Sequence, residues 1–306
     1  MTGQIDIEAA DEFASLAQVA EEMGLSDQAL PVVERRSIAV GGDQALSVLV
    51  WGSASPELVF LHGGGQNAHT WDLVALGLGR PAIAIDLPGH GHSSWRADRD
   101  YWPPRNAAAV ATAVEQLAPQ ASAVVGMSLG GLTTISLACH HPELVRRAVI
   151  VDVTPGVERQ TSTMSTEQRG TTALIQGSRE FDSLDEMVAR AIAASPRRPE
   201  SAVRRGVVNN TRQTADGRWT WRYDRLGSDE VRSDFLPLWD ELGSLAIPTM
   251  LVRGGDSAFV SVEDVAEYRG RLPAGRVEVV EGAGHSVQSD QPARLVELIR
   301  DFAFGG

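Results

Sequence analysis

The sequence predicts an α/β fold: a mostly parallel sheet flanked by helices and interrupted by an inserted helical cap. Three observations predict it. Short apolar runs alternate with helix-prone segments, as parallel strands joined by helical crossovers do. One run, Val124-Val125, leads straight into Gly126-Met127-Ser128-Leu129-Gly130-Gly131, a glycine-flanked serine between strand and helix. The alternation then breaks from Pro155 to Ser244, roughly ninety residues, which is too long for a loop.

The bulk properties narrow the class. A chain of 306 residues holds either two small domains or one α/β domain with an insertion. Hydrophobic residues make up 43% and mean hydropathy is −0.11, values of a soluble globular protein with a sizeable core. A net charge of −13 argues against nucleic acid or an anionic membrane surface as partner. All 27 basic residues are arginine, which reads as the mark of a GC-rich genome. Cys139 stands alone, so no intramolecular disulfide forms and a reducing compartment fits. The first thirty residues carry seven acids and no basic residue, unlike a signal or transit peptide, and no stretch reaches membrane-spanning length. A cytoplasmic protein is expected.

In order along the chain, residues 7–23 suit an acidic amphipathic helix with Phe13, Leu16, Ala17, Ala20 and Met23 on one face and Gly24 as its stop. Residues 1–30 therefore read as an N-terminal helical extension packed on the surface. Val32 to Trp51 suits two antiparallel strands turning at Gly41-Gly42-Asp43. Leu58 to Leu61 and Pro81 to Ile85 read as buried strands, and Ala107 to Leu117 as a helix. The strand before Ser128 leads into a helix through Cys139, and Arg147 to Val151 is the next strand, ending at Asp152. After the cap come a strand at Ile247 to Val252, a helix at Val262 to Leu272, a strand at Arg276 to Val280 and a last helix at Pro292 to Phe304. The core is thus expected at 31–154 and 245–306, with the cap at 155–244.

Gly-x-Ser-x-Gly between strand and helix is the nucleophile-elbow pattern. The serine sits on a strained turn where the flanking positions have little room for a β-carbon. A serine hydroxyl is a poor nucleophile at neutral pH and needs a positioned base. Of seven histidines, His62, His90 and His92 lie in tight strand-end turns and suit bracing roles, and His140 and His141 end a helix. His69 remains a possible pocket residue. His285 differs: it follows the last strand on the loop Gly282-Ala283-Gly284-His285-Ser286, at the sheet edge where open α/β sheets place their ligands. It is the expected general base.

Four motifs, His62-Gly63-Gly64-Gly65, Asp86-Leu87-Pro88-Gly89-His90-Gly91, Gly126-Met127-Ser128-Leu129-Gly130-Gly131 and Gly282-Ala283-Gly284-His285, stand in an order that resembles the α/β-hydrolase fold superfamily. The match runs from about Val32 to Phe304, with the cap as its variable part. The resemblance implies a mostly parallel eight-stranded sheet, a Ser-acid-His triad and a backbone oxyanion hole. It is specific for the fold and weakly so for the substrate, since this fold hosts many reactions.

Leu129 N–H is expected to supply one oxyanion donor, and Gly64, with Gly65 as the alternative, the second. The acid divides between two residues. Most relatives place it in a Gly-x-x-Asp-x-x-x-Pro segment after the strand at Ile247 to Val252. Here that segment is Gly254-Gly255-Asp256-Ser257-Ala258-Phe259-Val260-Ser261, and alignment of Gly254 and Ser261 puts Ser257, not Asp256, at the acid position. A minority of the superfamily, including haloalkane dehalogenases and zearalenone lactonases, carry the acid after the preceding strand, where Asp152 stands. Asp152 is the expected acid, with Asp256 the alternative.

The expected function is a serine esterase or lactonase acting through an acyl-enzyme on Ser128, with an apolar small-molecule ester or lactone as substrate. Met127 and Trp221 are candidate substrate contacts; Trp219 and Trp221 alternate about Thr220, so only one of the two would face the pocket. No cofactor and no metal are expected, since no cluster has zinc-ligand spacing. The rival readings are a carbon–carbon bond hydrolase or cofactor-free oxygenase on the same fold, and a small-molecule receptor that retains the triad.

Overall fold

The computed structural model of the chain describes residues 12–305 apart from 170–171, 173, 176–177, 179 and 226–233. Residues 1–11, which include the start of the helix expected at 7–23, lie outside the described residues. Among the described residues, eight strands form the main sheet in the order β1-β2-β4-β3-β5-β6-β10-β11. The antiparallel pair at one edge is β1 (Val33–Gly41) and β2 (Gln44–Trp51). β2 also runs antiparallel to β4 (Ala82–Ile85). The remaining neighbours, β3 (Leu58–Leu61), β5 (Ala123–Met127), β6 (Ala148–Val151), β10 (Thr249–Gly254) and β11 (Arg276–Val280), are all paired in parallel.

The central strands are apolar at every position because helices cover both faces. β3 is the clearest case. Leu58 and Phe60 pack with α1 (Leu16–Glu22), α2 (Asp72–Leu78) and the helix Pro292–Phe304. Val59 and Leu61 turn the other way, onto Val110, Ala111 and Val114 of α3 (Pro103–Leu117) and Leu137 and Ala138 of α4 (Leu129–His140). All four strand residues are fully buried. At about 25 cal/mol per Å² of apolar surface, each such side chain contributes roughly 1.5–3 kcal/mol of transfer free energy.

Two helices depart from the sequence reading. α3 starts at Pro103 rather than Ala107, because Pro103 and Pro104 occupy its first turn, where a proline lacks no needed N–H. Asn106 is buried there, donating its side-chain amide to Tyr101 O at 3.0 Å. In α1 the buried face is Leu16, Val19 and Ala20, while Ala17 is exposed.

Between β6 and β10 the chain leaves the sheet. This insertion is helical, with Leu184–Ala193 and Glu200–Asn209 as its longest helices, and it also carries a small sheet that the sequence did not disclose. β7 (Glu180–Phe181), β8 (Thr211–Gln213) and β9 (Trp219–Trp221) pair antiparallel in the order β7-β9-β8. Its own apolar cluster gathers Phe181, Met187, Val188, Val207, Trp221 and Tyr223.

Candidate active site

The register of three parallel strands assembles the site. Met127 at the end of β5 pairs with Val151 of β6, and Val151 pairs with Val252 of β10. Ser128, Asp152 and the loop beginning at Gly254 therefore emerge at one level on the carboxyl edge of the sheet. Ser128 N–H donates to Val151 O at 3.1 Å, and Asp152 N–H to Val252 O at 2.7 Å, which locks this level.

Ser128 has φ +52° and ψ −118°, a conformation that costs a side-chain-bearing residue on the order of 1–3 kcal/mol. The turn is kept tight by its glycines. A β-carbon at Gly126 would lie 2.2 Å from Gly130 O, and one at Gly130 would lie 2.2 Å from Leu61 O. Only glycine at both places lets β5 reverse into α4 this sharply. Leu129 is the first residue of α4, so its N–H has no acceptor within the helix, and it points from the positive end of the helix dipole.

His285 lies on the loop after β11, with its side chain largely enclosed. Its Nδ1 is 2.8 Å from Asp152 Oδ2, which fixes Nδ1 as the protonated nitrogen toward the carboxylate and leaves Nε2 as the basic one. Nε2 is buried and makes no hydrogen bond among the described residues, so the expected contact with Ser128 Oγ is not made here. In unliganded sites of this kind that bond is often long and closes only with substrate. The ring of Phe259 lies on the imidazole, centroid to centroid 3.5 Å and 11° from parallel.

Asp152 is fully buried and also has a positive φ, +50°. Its Oδ1 accepts from Gly254 N–H at 2.8 Å, and its Oδ2 accepts from Ser257 Oγ as well as from His285. Asp256, the alternative acid, is turned to the surface, where it pairs with Arg197 at 2.7 Å. The one-residue offset noted in the sequence is thus resolved by the turn: Ser257 faces inward and Asp256 outward.

The glycine loop after β3 borders a cavity of about 190 Å³ lying between the sheet edge and the insertion. Gly64, Gly65, Asn67, Ile175, Trp221 and Tyr223 are among its walls. Trp221 is the buried member of the Trp219/Trp221 pair and stacks on Tyr223 at 5.9 Å. Met127 does not line the cavity: it is 1% exposed, and its sulfur packs against Gly63, where a β-carbon would approach it to 2.6 Å. Asn210 joins the insertion to the glycine loop by donating to Gly65 O at 2.7 Å, and Asn67 returns the link by donating to Asn209 O at 2.7 Å. Asn210 carried no sequence signal; it matters only because the insertion folds back over the loop.

Two other histidines brace the fold, and one of them, His69, also borders the cavity. His62 accepts from Leu87 N–H at 2.9 Å and donates to Gly63 O at 2.8 Å, tying two strand-end loops; burial beside His90 pushes its pKa down to about 3. His69 is held between Asp72 and Glu12, at 2.9 Å from each. Burial alone would lower its pKa, but the two carboxylates outweigh it and push it up to about 10. Buried Asp86 accepts from Ala68 N–H, His92 N–H and Arg35, bracing the turn. Among the described residues, donor atoms able to hold a metal cluster at Cys139, His140 and Glu241 and at Glu115, His141 and Glu143, near the end of α4 far from Ser128. No helix among the described residues is long and apolar enough to cross a membrane.

Comparison with known proteins agrees with this fold. Residues 58–298 match the profile described as "Alpha/beta hydrolase family". The chain is 50% identical over 291 residues to esterase Rv0045c of Mycobacterium tuberculosis, covering 95% of each protein. It superposes on a crystal structure of that esterase with a TM-score of 0.85, at 46% identity over 96% of this chain and 98% of the other. It is also 26% identical over 258 residues to the mouse sn-1-specific diacylglycerol lipase ABHD11, covering 81% of this chain and 80% of that one.

Proposed function

Because this chain belongs to the alpha/beta hydrolase family, we propose that it is a serine esterase whose nucleophile is Ser128, general base His285 and orienting acid Asp152. The observation that carries the reading is the 2.8 Å contact between His285 Nδ1 and Asp152 Oδ2, made at the same sheet edge as a strained, glycine-flanked serine. Its 50% identity to an esterase over 95% of the chain supports the reaction class.

The steps follow from the geometry. His285 Nε2 takes the proton of Ser128 Oγ as the oxygen attacks the ester carbonyl. Asp152 accepts from Nδ1–H throughout and stabilises the imidazolium without itself taking the proton. Negative charge developing on the carbonyl oxygen is met by Leu129 N–H, at the head of α4, and by Gly64 N–H of the glycine loop. The tetrahedral intermediate collapses, His285 hands its proton to the departing alcohol, and an acyl group remains on Ser128. Water, deprotonated by His285, then releases the acid.

The cavity beside Gly64 takes the apolar part of the substrate. At about 190 Å³ it is smaller than the roughly 300–1,000 Å³ of sites for drug-sized ligands, which favours a short acyl group over a long lipid tail. The lactone reading draws on the placement of the acid after β6, a likeness to zearalenone lactonases that stands on that placement alone.

Reaction with a fluorophosphonate probe, alongside turnover of p-nitrophenyl esters of graded acyl length, tests the proposal. Labelling of the wild-type chain and none of Ser128→Ala, with hydrolysis strongest for short acyl chains, is expected. An unlabelled Ser128 in a folded protein would rule out the esterase reading.

A further inference from the structure

We propose that Ser257 is a positioning residue of the catalytic machinery: its hydroxyl holds the Asp152 carboxylate in the orientation that His285 needs. The proposal rests on the reading of Asp152 as the triad acid. It starts from how the hydroxyl is committed. Ser257 is 8% exposed, and its Oγ accepts from Phe259 N–H at 3.1 Å. With that acceptor site used, the single hydroxyl proton is directed at Asp152 Oδ2, the same oxygen that receives Nδ1–H of His285.

The carboxylate is thereby held at both ends. Gly254 N–H fixes Oδ1 at 2.8 Å, and Ser257 fixes Oδ2 independently of the imidazole. Without the hydroxyl, the His285 contact alone among the described residues would hold Oδ2, and the carboxylate plane could turn about the Gly254 contact. A hydrogen bond to a charged acceptor in an enclosed site is of the strong kind, so its loss is felt. The same short loop supplies Phe259, whose ring lies 3.5 Å from the imidazole centroid. One segment, 254–259, thus grips the acid with an amide and a hydroxyl and covers the face of the base with an aromatic ring.

This role separates from simple packing by its kinetics. The cavity proposed to take the substrate is bordered by Gly64 and Trp221, and Ser257 is not among its walls. A positioning role therefore acts on kcat and leaves KM alone. Ser257→Ala is expected to lower kcat for a p-nitrophenyl ester about 10-fold to 100-fold, the loss that one charge-assisted hydrogen bond represents, with KM unchanged. Ser257→Thr keeps a hydroxyl on the same β-carbon and is expected to recover most of that loss, with melting temperatures of both variants measured alongside. Two results would overturn the proposal: Ser257→Ala matching the wild-type kcat, or Thr and Ala variants equally impaired. Asp152→Asn, assayed in parallel, keeps the two readings apart. Full activity there would remove the acid assignment and this role together. An inactive Asp152→Asn beside a fully active Ser257→Ala would remove the positioning role alone.

Discussion

His285 Nδ1 lies 2.8 Å from Asp152 Oδ2, while Asp256, only two residues after the glycine that also binds Asp152, pairs outward with Arg197. The two carboxylates therefore sit in separate surroundings, one buried against an imidazole and one paired at the surface. Asp152→Asn is expected to lower kcat by about 10³-fold to 10⁴-fold, because an amide no longer holds the imidazole in the tautomer with a free Nε2. Asp256→Asn removes only an exposed ion pair and is expected to leave kcat within about two-fold and stability within about 1 kcal/mol. Steady-state rates on one p-nitrophenyl ester decide it; the opposite ranking would exchange the two roles.

Trp221 is an aromatic wall of the cavity beside Tyr223, on which it stacks, and it meets Phe181 edge-on. Trp221→Leu enlarges the space available to an acyl chain. Relative to acetate, kcat/KM for butyrate esters is expected to rise about 10-fold, the discrimination that one or two methylenes carry in an apolar pocket. An unchanged chain-length profile would mean that the acyl group lies elsewhere. Melting curves accompany the assay, since removing a buried indole also costs about 3 kcal/mol.

Glu12 anchors the N-terminal extension by meeting both His69 and Arg35. Burial opposes the charge on Glu12, yet these two cations hold its carboxyl well below the usual range. The His69 pKa is raised from 6.5 to about 10, so its contribution to stability is complete below 6.5 and is lost as pH rises through about 10. The Glu12 contribution has the opposite sense: it is present above the ordinary carboxyl pKa of 4.5 and lost as pH falls below it. Glu12→Gln is therefore expected to cost about 2 kcal/mol, on the order of 5 °C in Tm, near pH 6. The gap to wild type should narrow at both pH 3 and pH 10 in a calorimetric series.

Much of this molecule was legible before folding. β3 stands where its apolar pattern puts it, since a run buried on both faces must be apolar throughout, and the helix Pro292–Phe304 stands where its one apolar face puts it, at Leu295, Val296, Leu298 and Ile299. Elements whose identity depends on partners were not legible. β7, β8 and β9 are two or three residues long, too short for alternation to register, and exist because they pair with one another inside the insertion. Ala17 and Val19 of α1 exchanged places for a similar reason: the helix is short, and the surface it meets chose its face. Ser257 was visible only as an irregularity of spacing, a serine standing where an acid was expected.

By itself, the sequence determined the sheet, the serine elbow and the histidine on the last loop, because each is written in local steric demands: apolar runs, glycines where a β-carbon would clash, a loop that closes the final crossover. It left open which aspartate meets that histidine. Asp152 and Asp256 follow the neighbouring parallel strands β6 and β10, so both reach the same edge. The decision came from the turn after Gly254, which sends Asp256 out to Arg197 and turns Ser257 in to Asp152, and a turn's direction depends on contacts from across the chain.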